Sequence, residues 1–208
     1  MERFAQCIAG GGVALFPTDT VYGLACDPLQ VGAVRRLYEL KGRPPTQPAA
    51  VMFFALAPAL AALTELGPRT RAALTKLLPG PVTVLLANPS GRYPLACAPA
   101  AALAGEVVDG ATSLGLRVPR LPEHLVALGA LDGPVLQSSA NLSGQPESRN
   151  LVDVAASVRD GVDLALDGGE LPGIASTVLD LRDYERAGSW TVARAGPLAH
   201  AELQQVLG

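Results

Sequence analysis

Val13-Ala14-Leu15-Phe16-Pro17-Thr18-Asp19-Thr20-Val21-Tyr22-Gly23-Leu24 follows a triple glycine, Gly10-Gly11-Gly12. Its four leading apolar residues read as a short buried strand, and Pro17, with no N–H for a ladder, is expected to end it. Thr18, Asp19, Thr20 and Tyr22 then cluster at the carboxyl end of a strand, where open α/β sheets take ligands. Two readings stand side by side: a polar grip on a small molecule, or a turn whose Asp and Thr side chains satisfy their own backbone. Neither supplies an evident nucleophile and base pair.

Working outward, residues 2–9 read as a short helix stopped by the glycines, and Asp27-Pro28 as a turn. Val31, Val34, Leu37 and Tyr38 recur at helical spacing over 31–40, with Arg35, Arg36 and Glu39 opposite. Gly42 and Pro44-Pro45 end that helix. A buried strand is expected at 49–55, helices at 57–66 and 69–78, and a strand at 82–87 after Pro79-Gly80-Pro81. Residues 88–112, rich in Ala, Gly and Pro, show little period and read as a loop or flap. Strands at 113–118, 135–137 and 163–166 alternate with helices at 122–128 and 151–158. Strands 177–181 and 191–193, joined by a polar loop at 182–189, form an antiparallel pair, and 198–207 closes as a helix. Such alternation predicts an α/β sheet with helices on both faces. Without a repeat or a linker, residues 1–208 are expected to be one domain.

The 208 residues suffice to bury a core, and 49% hydrophobic with only 4% aromatic content builds it from Ala, Val and Leu. A net charge of −3 argues against a protein that coats nucleic acid, though a local basic patch is compatible with it. The longest apolar run, 51–63, is interrupted by Pro58 and falls short of the roughly 18 residues of a membrane span. Glu2, Arg3 and the glycines make a poor signal peptide, so a cytoplasmic protein is expected. Cys7, Cys26 and Cys97 suggest neither disulfides nor a zinc site, and His124 and His200 are the only imidazoles. No resident metal is expected; a magnesium ion borne by a nucleotide needs few protein ligands.

Three groups of residues carry chemistry. Lys41-Gly42-Arg43 ends the amphipathic helix. The preference for cations in a last helical turn accounts for Lys41, while Arg43, beyond the helix and before two prolines, can present a forked donor to a phosphate or carboxylate. Ser138-Ser139-Ala140-Asn141-Leu142-Ser143-Gly144 follows a strand with small residues that let backbone N–H groups approach a phosphate, or simply form a polar turn. It is neither a Walker A sequence nor a Gly-x-Ser-x-Gly elbow. Arg117 stands inside the apolar strand Leu114-Gly115-Leu116-Arg117-Val118-Pro119 and needs a carboxylate from the protein or from a ligand. Together with Arg194 and the hydroxyls of Thr20, Ser139 and Ser176, these cations suit a polyphosphate and a carboxylate in one cleft. No single spacing specifies a reaction.

Pro17-Thr18-Asp19-Thr20-Val21-Tyr22-Gly23-Leu24, Lys41-Gly42-Arg43-Pro44, Pro79-Gly80-Pro81-Val82-Thr83, Leu116-Arg117-Val118-Pro119, Ser138-Ser139-Ala140-Asn141, Asp167-Gly168-Gly169, Ser176-Thr177-Val178 and Arg194-Ala195-Gly196-Pro197 stand in the order found in the YrdC/TsaC family, which the chain resembles over roughly residues 3–205. The resemblance implies an open, twisted, mixed α/β sheet around a cationic cavity, in the short form of the family. It implies synthesis of L-threonylcarbamoyladenylate from L-threonine, bicarbonate and ATP with release of pyrophosphate, magnesium arriving with the nucleotide. A partner transferase would pass the group to tRNA, next to the anticodon. By similarity Arg43, Gln47, Ser113, Ser139 and Arg194 go to ATP, with Lys41, Arg43, Ser139 and Asn141 as the catalytic phosphate-side cluster. Thr20, Arg117 and Ser176 go to threonine, Arg117 receiving its carboxylate.

The chain departs from the family in Gln47-Pro48-Ala49-Ala50-Val51-Met52, where many relatives carry a nearby histidine. Met52 removes that imidazole contact to threonine, so Met52→His is expected to lower the KM for threonine. Competing readings are an RNA-binding or ribosome-assembly module using Arg35, Arg36, Lys41 and Arg43 as a basic strip, carbamoyl transfer of the hydrogenase-maturation kind, and an inactive paralogue. The acidic balance and the scarcity of stacking aromatics weigh against the first, leaving weak tRNA binding at most. No paired cysteine motif supports the second, and intact Lys-x-Arg and Ser-Ala-Asn motifs oppose the third.

Overall fold

Apolar residues at spacings of two and of three to four sort the chain into strands and helices. The computed structural model describes residues 2–107, 112–131 and 133–208. Among them the strands are β1 (Ala14–Pro17), β2 (Tyr22–Cys26), β3 (Ala50–Met52), β4 (Val82–Asn88), β5 (Thr112–Arg117), β6 (Val135–Ser139), β7 (Leu164–Ala165), β8 (Thr177–Asp180) and β9 (Thr191–Arg194). The helices are α1 (Glu2–Ala9), α2 (Val31–Lys41), α3 (Leu56–Ala62), α4 (Pro68–Leu77), α5 (Pro94–Cys97), α6 (Pro99–Leu103), α7 (Ala156–Arg159), α8 (Tyr184–Ala187) and α9 (His200–Leu207). Short 3-10 segments occupy Glu123–Ala130 and Leu151–Asp153.

All nine strands join one open mixed sheet in the order β7-β1-β2-β6-β3-β5-β4-β8-β9. β1 runs parallel to β7, β3 to β5 and β4 to β8, and the remaining neighbours are antiparallel, β8 with β9 included. On one face Leu15, Leu24, Val51, Val84, Leu114, Leu116, Leu136 and Leu179 pack with Val34 and Leu37 of α2, Leu74 of α4, Leu95 of α5 and Leu203 of α9. Part of the other face is closed by α1 and the Glu123–Ala130 segment. There Phe4, Phe16 and Phe54 meet edge to face at 5.3 to 6.1 Å over Ala14, Ala25 and Met52. The remainder of that face, across β6, β3, β5, β4 and β8, forms the floor of a cavity.

Several expectations need correction. The opening stretch is a hairpin: β1 turns back into β2, paired antiparallel from Ala14↔Ala25 to Pro17↔Tyr22. Tyr-Gly-Leu-Ala-Cys has few β-branched residues and a glycine, so propensity hides β2. Ser138 and Ser139 lie within β6, not after it. The 88–112 stretch holds α5 and α6, each begun by a proline in its first turn, where a missing N–H costs nothing. Leu95, Ala96 and Cys97 are buried, so this part is no flap; residues 108–111 of the stretch lie outside those described. The helix expected at 122–128 is the 3-10 segment, the one at 151–158 is divided between Leu151–Asp153 and α7, and the 182–189 loop contains α8.

Candidate functional site

Residues two apart on a strand share a face. Gln137 of β6, Ala50 of β3, Ser113, Gly115 and Arg117 of β5, Thr83 and Leu85 of β4 and Val178 of β8 therefore line one cavity, of about 240 Å³. Its floor is open because the central positions are small. A Cβ on Gly115 would lie 3.5 Å from Ala50 Cα, an ordinary contact, so the glycine leaves room above the sheet and is not forced by the backbone. The cavity thus lies on the sheet face and not beyond the carboxyl ends of the strands. Among the described residues three guanidiniums, Arg43, Arg117 and Arg194, and one carboxylate, Glu147, stand around it.

Arg43 is aimed by the chain that follows α2. Gly42 takes the left-handed conformation (φ 60°) as the helix cap, and Arg43 Nε donates to Gln47 O at 3.3 Å and Nη2 to Pro48 O at 2.5 Å. Its guanidinium lies 5.8 Å from the Tyr38 ring centroid, a cation–π distance, while the Tyr38 hydroxyl donates to Gln47 O at 2.8 Å. Gln47 itself is exposed and does not line the cavity.

Lys41 is buried behind the wall, not in it. Nζ donates to Asn141 O (2.6 Å), Ser139 O (2.7 Å) and Asn141 Oδ1 (2.9 Å), with Ser139 Oγ at 3.3 Å. Its own carbonyl accepts from Ser143 N at 2.9 Å, and Ser139 Oγ donates to Asn141 Oδ1 at 2.6 Å. Lys41 is thus the post on which the end of β6 and the turn after it are built. Asn141, also behind the wall, continues the brace by donating to Gln145 O. Burial pushes the Lys41 ammonium down from 10.5 to about 8, opposed by the Glu147 charge and helped by Arg43.

Arg117 finds its carboxylate within the protein. Nη2 pairs with Asp19 Oδ1 at 2.8 Å, both side chains less than a tenth exposed, and reaches Thr20 Oγ1 at 3.2 Å. Nη1 lies 3.4 Å from Gln137 Oε1, and Nε is buried without a hydrogen-bond partner among the described residues. Of the two sources the sequence left open, the protein supplies the carboxylate, and a ligand is not required to balance this buried arginine. Burial lifts the Asp19 carboxyl above its usual range, against the pull of Arg117 and of the Arg120 N–H that donates to it at 3.0 Å. Burial likewise lowers Arg117, opposed by Asp19, yet a guanidinium keeps its proton in proteins.

The opening stretch forms a turn that also braces the cavity wall. Thr18 makes the turn, its hydroxyl donating to Val21 O at 2.7 Å, whereas Asp19 and Thr20 reach the site through Arg117. Tyr22 points away, its hydroxyl donating to Asp167 Oδ1 (3.0 Å) and accepting from Gly168 N (2.9 Å). On the far wall Ser176 is buried and shares a 2.8 Å hydrogen bond with Thr83 Oγ1, and Arg194 Nη2 donates to Ser176 O at 2.8 Å. Arg43, Ser113, Arg117, Ser139, Ser176 and Arg194 thus share one cavity, with Thr20, Lys41 and Asn141 behind its wall.

Sequence reasoning missed Gln137 and Glu147. Alternation along β6 points to Gln137, since it shares a face with Ser139; Gly23, the register partner of Ser139, leaves space for it, a Cβ there falling 2.7 Å from Gln137 Nε2. Glu147, in the irregular Gln-Pro-Glu-Ser run, carries no such signal. Met52 is register partner of Arg117 on the cavity face but fully enclosed by the phenylalanine cluster. The basic strip is largely spent: Arg36 pairs with Asp163 at 2.6 Å, and Lys41 is buried. Among the described residues no group of three or more His, Cys, Asp or Glu is placed to hold a metal ion, and no helix is long and apolar enough to cross a membrane.

Comparison with known proteins gives this arrangement a family. A model for the Sua5/YciO/YrdC family, described as telomere recombination, matches residues 6–196. A threonylcarbamoyl-AMP synthase of Chromohalobacter salexigens is 36% identical over 192 residues, covering 88% of this chain and 95% of the relative. One of Pyrococcus abyssi is 29% identical over 208 residues, covering 98% of this chain; the chain spans only 56% of that relative's length. The crystal structure of P. abyssi Sua5 complexed with L-threonine superimposes with a TM-score of 0.80 at 29% identity, over 99% of this chain and 56% of the other. E. coli YciO, at 22% identity, shares the fold with a TM-score of 0.76 over 97% of this chain and 91% of its own. The chain belongs to the Sua5/YciO/YrdC family.

Proposed function

We propose that this chain makes L-threonylcarbamoyladenylate from L-threonine, bicarbonate and ATP, releasing pyrophosphate. The observation that carries the proposal is the convergence of Arg43, Arg117 and Arg194 on one small cavity in a member of this family. The carboxylate of N-carboxy-threonine must attack the α-phosphorus of a polyanion, and repulsion between the two anions is the chief obstacle. Fixed guanidiniums lower it by holding both partners and by meeting charge where it develops, without a covalent nucleophile. The relative named as complexed with L-threonine supports the amino-acid half of this reading.

On this reading Arg43, Ser113, Ser139 and Arg194 face the nucleotide, with Gln47 at the rim, and Thr20, Arg117, Ser176 and the newly found Gln137 serve threonine. Lys41 and Asn141 act through Ser139, whose position they fix. A volume of about 240 Å³ lies below the roughly 300–1,000 Å³ of pockets that enclose drug-sized ligands. The cavity then takes the amino acid and the reacting phosphates, and the adenosine extends over the rim. Among the described residues the wall offers one carboxylate, so magnesium would be held mainly by phosphate oxygens and travel with ATP. Residues 1–208 act as one unit, the sheet being continuous from Ala14 to Arg194. The product would pass to a tRNA-modifying transferase in the cytoplasm.

The test is pyrophosphate release from ATP with bicarbonate, with and without L-threonine, and with L-serine as the control. Strict dependence on threonine and bicarbonate, lost in a folded Arg43→Ala variant, supports the synthase. Binding of ATP with no pyrophosphate for any amino acid overturns it.

A further inference from the structure

We propose that Glu147 holds the amino group of the amino-acid substrate and takes the proton this group must lose before it is carboxylated. The inference rests on the synthase reading and adds to it a residue and a step. Among the described residues every other charged side chain in the wall of the cavity is a guanidinium. Guanidiniums serve the triphosphate, the bicarbonate and the amino-acid carboxylate, but repel the α-ammonium. Glu147 is the complementary group.

Its surroundings point the same way. Glu147 Oε2 is buried and has no hydrogen-bond partner among the described residues. Its charge is felt at Lys41 and at Arg117, but Lys41 Nζ is spent on Ser139 and Asn141, and Arg117 Nη2 on Asp19 and Thr20. A buried carboxylate oxygen without a donor is costly, and natural sites keep one where a ligand supplies the donor. An ammonium brings three. The segment is also held in place, since Gln145 O accepts from Asn141 Nδ2 and Ser148 O accepts from Tyr22 N at 3.1 Å. Glu147 therefore stands between two tethered neighbours.

The step balances simply. The ammonium gives one proton to Glu147 Oε2, which frees the nitrogen lone pair. Nitrogen attacks the bicarbonate carbon, the C–N bond forms, and the hydroxyl of bicarbonate leaves with a second nitrogen proton as water. The N-carboxylate remains for attack on the α-phosphorus, and Glu147 returns its proton to solvent.

Glu147→Gln keeps the shape and removes the charge and the base. The expected result is a KM for threonine raised roughly tenfold to a hundredfold, the range of one charge-assisted hydrogen bond, a lower kcat, and an unchanged KM for ATP. Glu147→Asp should recover part of the loss, and a thermal melt of each variant separates this from misfolding. Calorimetry gives a readout free of turnover: the wild-type protein should bind L-threonine at least about tenfold more tightly than 2,3-dihydroxybutanoate, whose hydroxyl replaces the ammonium, and Glu147→Gln should bind the two alike. Unchanged threonine binding in Glu147→Gln overturns the proposal. So does a defect confined to ATP and its magnesium dependence, which would make Glu147 a metal ligand. A wild-type protein that releases no pyrophosphate overturns the synthase reading instead, while the calorimetric comparison still decides the role of Glu147.

Discussion

Asp19→Ala removes the carboxylate that meets Arg117 at 2.8 Å, where the two side chains are 7% and 4% exposed. Stranding one member of a buried pair costs about 3–5 kcal/mol. Thr20 Oγ1 and Gln137 Oε1 remain as neutral acceptors at 3.2 and 3.4 Å, which places the loss near the lower end, about 3 kcal/mol. For a chain of this size that is a fall in Tm of roughly 6–12 °C, and urea unfolding reads the same loss as a lower midpoint at constant slope. Asp19→Asn keeps an oxygen toward Arg117 and should lose less. If Arg117 receives the amino-acid carboxylate, L-threonine should replace the missing group. At a hundred times its Kd it returns about 2.7 kcal/mol, most of what was lost. In the wild-type protein Asp19 already neutralises the guanidinium, so a fixed threonine concentration should raise the Tm of Asp19→Ala more than that of the wild type. A variant as stable as the wild type, or equal stabilisation of both by threonine, would refute the assignment of Arg117.

Three other expectations follow from the same geometry. Lys41 is held near 8 by burial, below its free value of 10.5, so the fold favours the neutral amine; the stability this contributes is complete above the free value and is lost as pH falls through 8. Its Cε resonance should titrate near 8, and a midpoint near 10.5 would contradict the buried post. Gly115→Ala places a methyl group in the cavity with its nearest neighbour 3.5 Å away, so stability should hold or rise slightly while kcat/KM falls about tenfold or more; unchanged turnover would move the site elsewhere. Met52→His sets an imidazole beside Arg117 and should lower the KM for threonine, at a cost of about 1–3 kcal/mol for burying a polar ring among phenylalanines; an unchanged or higher KM counts against a role for that position.

Much of this architecture was legible because burial writes itself into periodicity. The 3.6-residue pattern of 31–40 became α2, and apolar strands such as 82–87 and 113–118 became β4 and β5 within a residue or so. What failed was local weakness rescued by tertiary contact. β2 contains a glycine, whose missing Cβ leaves room for Gln137, and is held by pairing with β1 and β6 on its two sides, and α5 and α6 form because prolines start them and Leu95 and Ala96 reach the core. Around the cavity, residue type gathered the cations as a group but not their stations: three guanidiniums line it and Lys41 stands behind the wall. Lys41 and Arg43 are two apart, yet the helix cap at Gly42 sends one inward to the end of β6 and the other to the cavity. A buried arginine did demand a carboxylate, and only the fold reveals that Asp19, 98 residues away, provides it. Glu147 was invisible because a lone carboxylate in a loop has no pattern until cations surround it.

The most direct measurement is mass spectrometry of the nucleotide product formed from ATP, L-threonine and carbon-13 bicarbonate. A threonylcarbamoyl adenylate carrying the label, formed together with pyrophosphate and absent from Arg43→Ala, is the result expected of these three guanidiniums. A folded wild-type protein that binds ATP and threonine, yet yields only unlabelled products or none, would contradict the synthase outright.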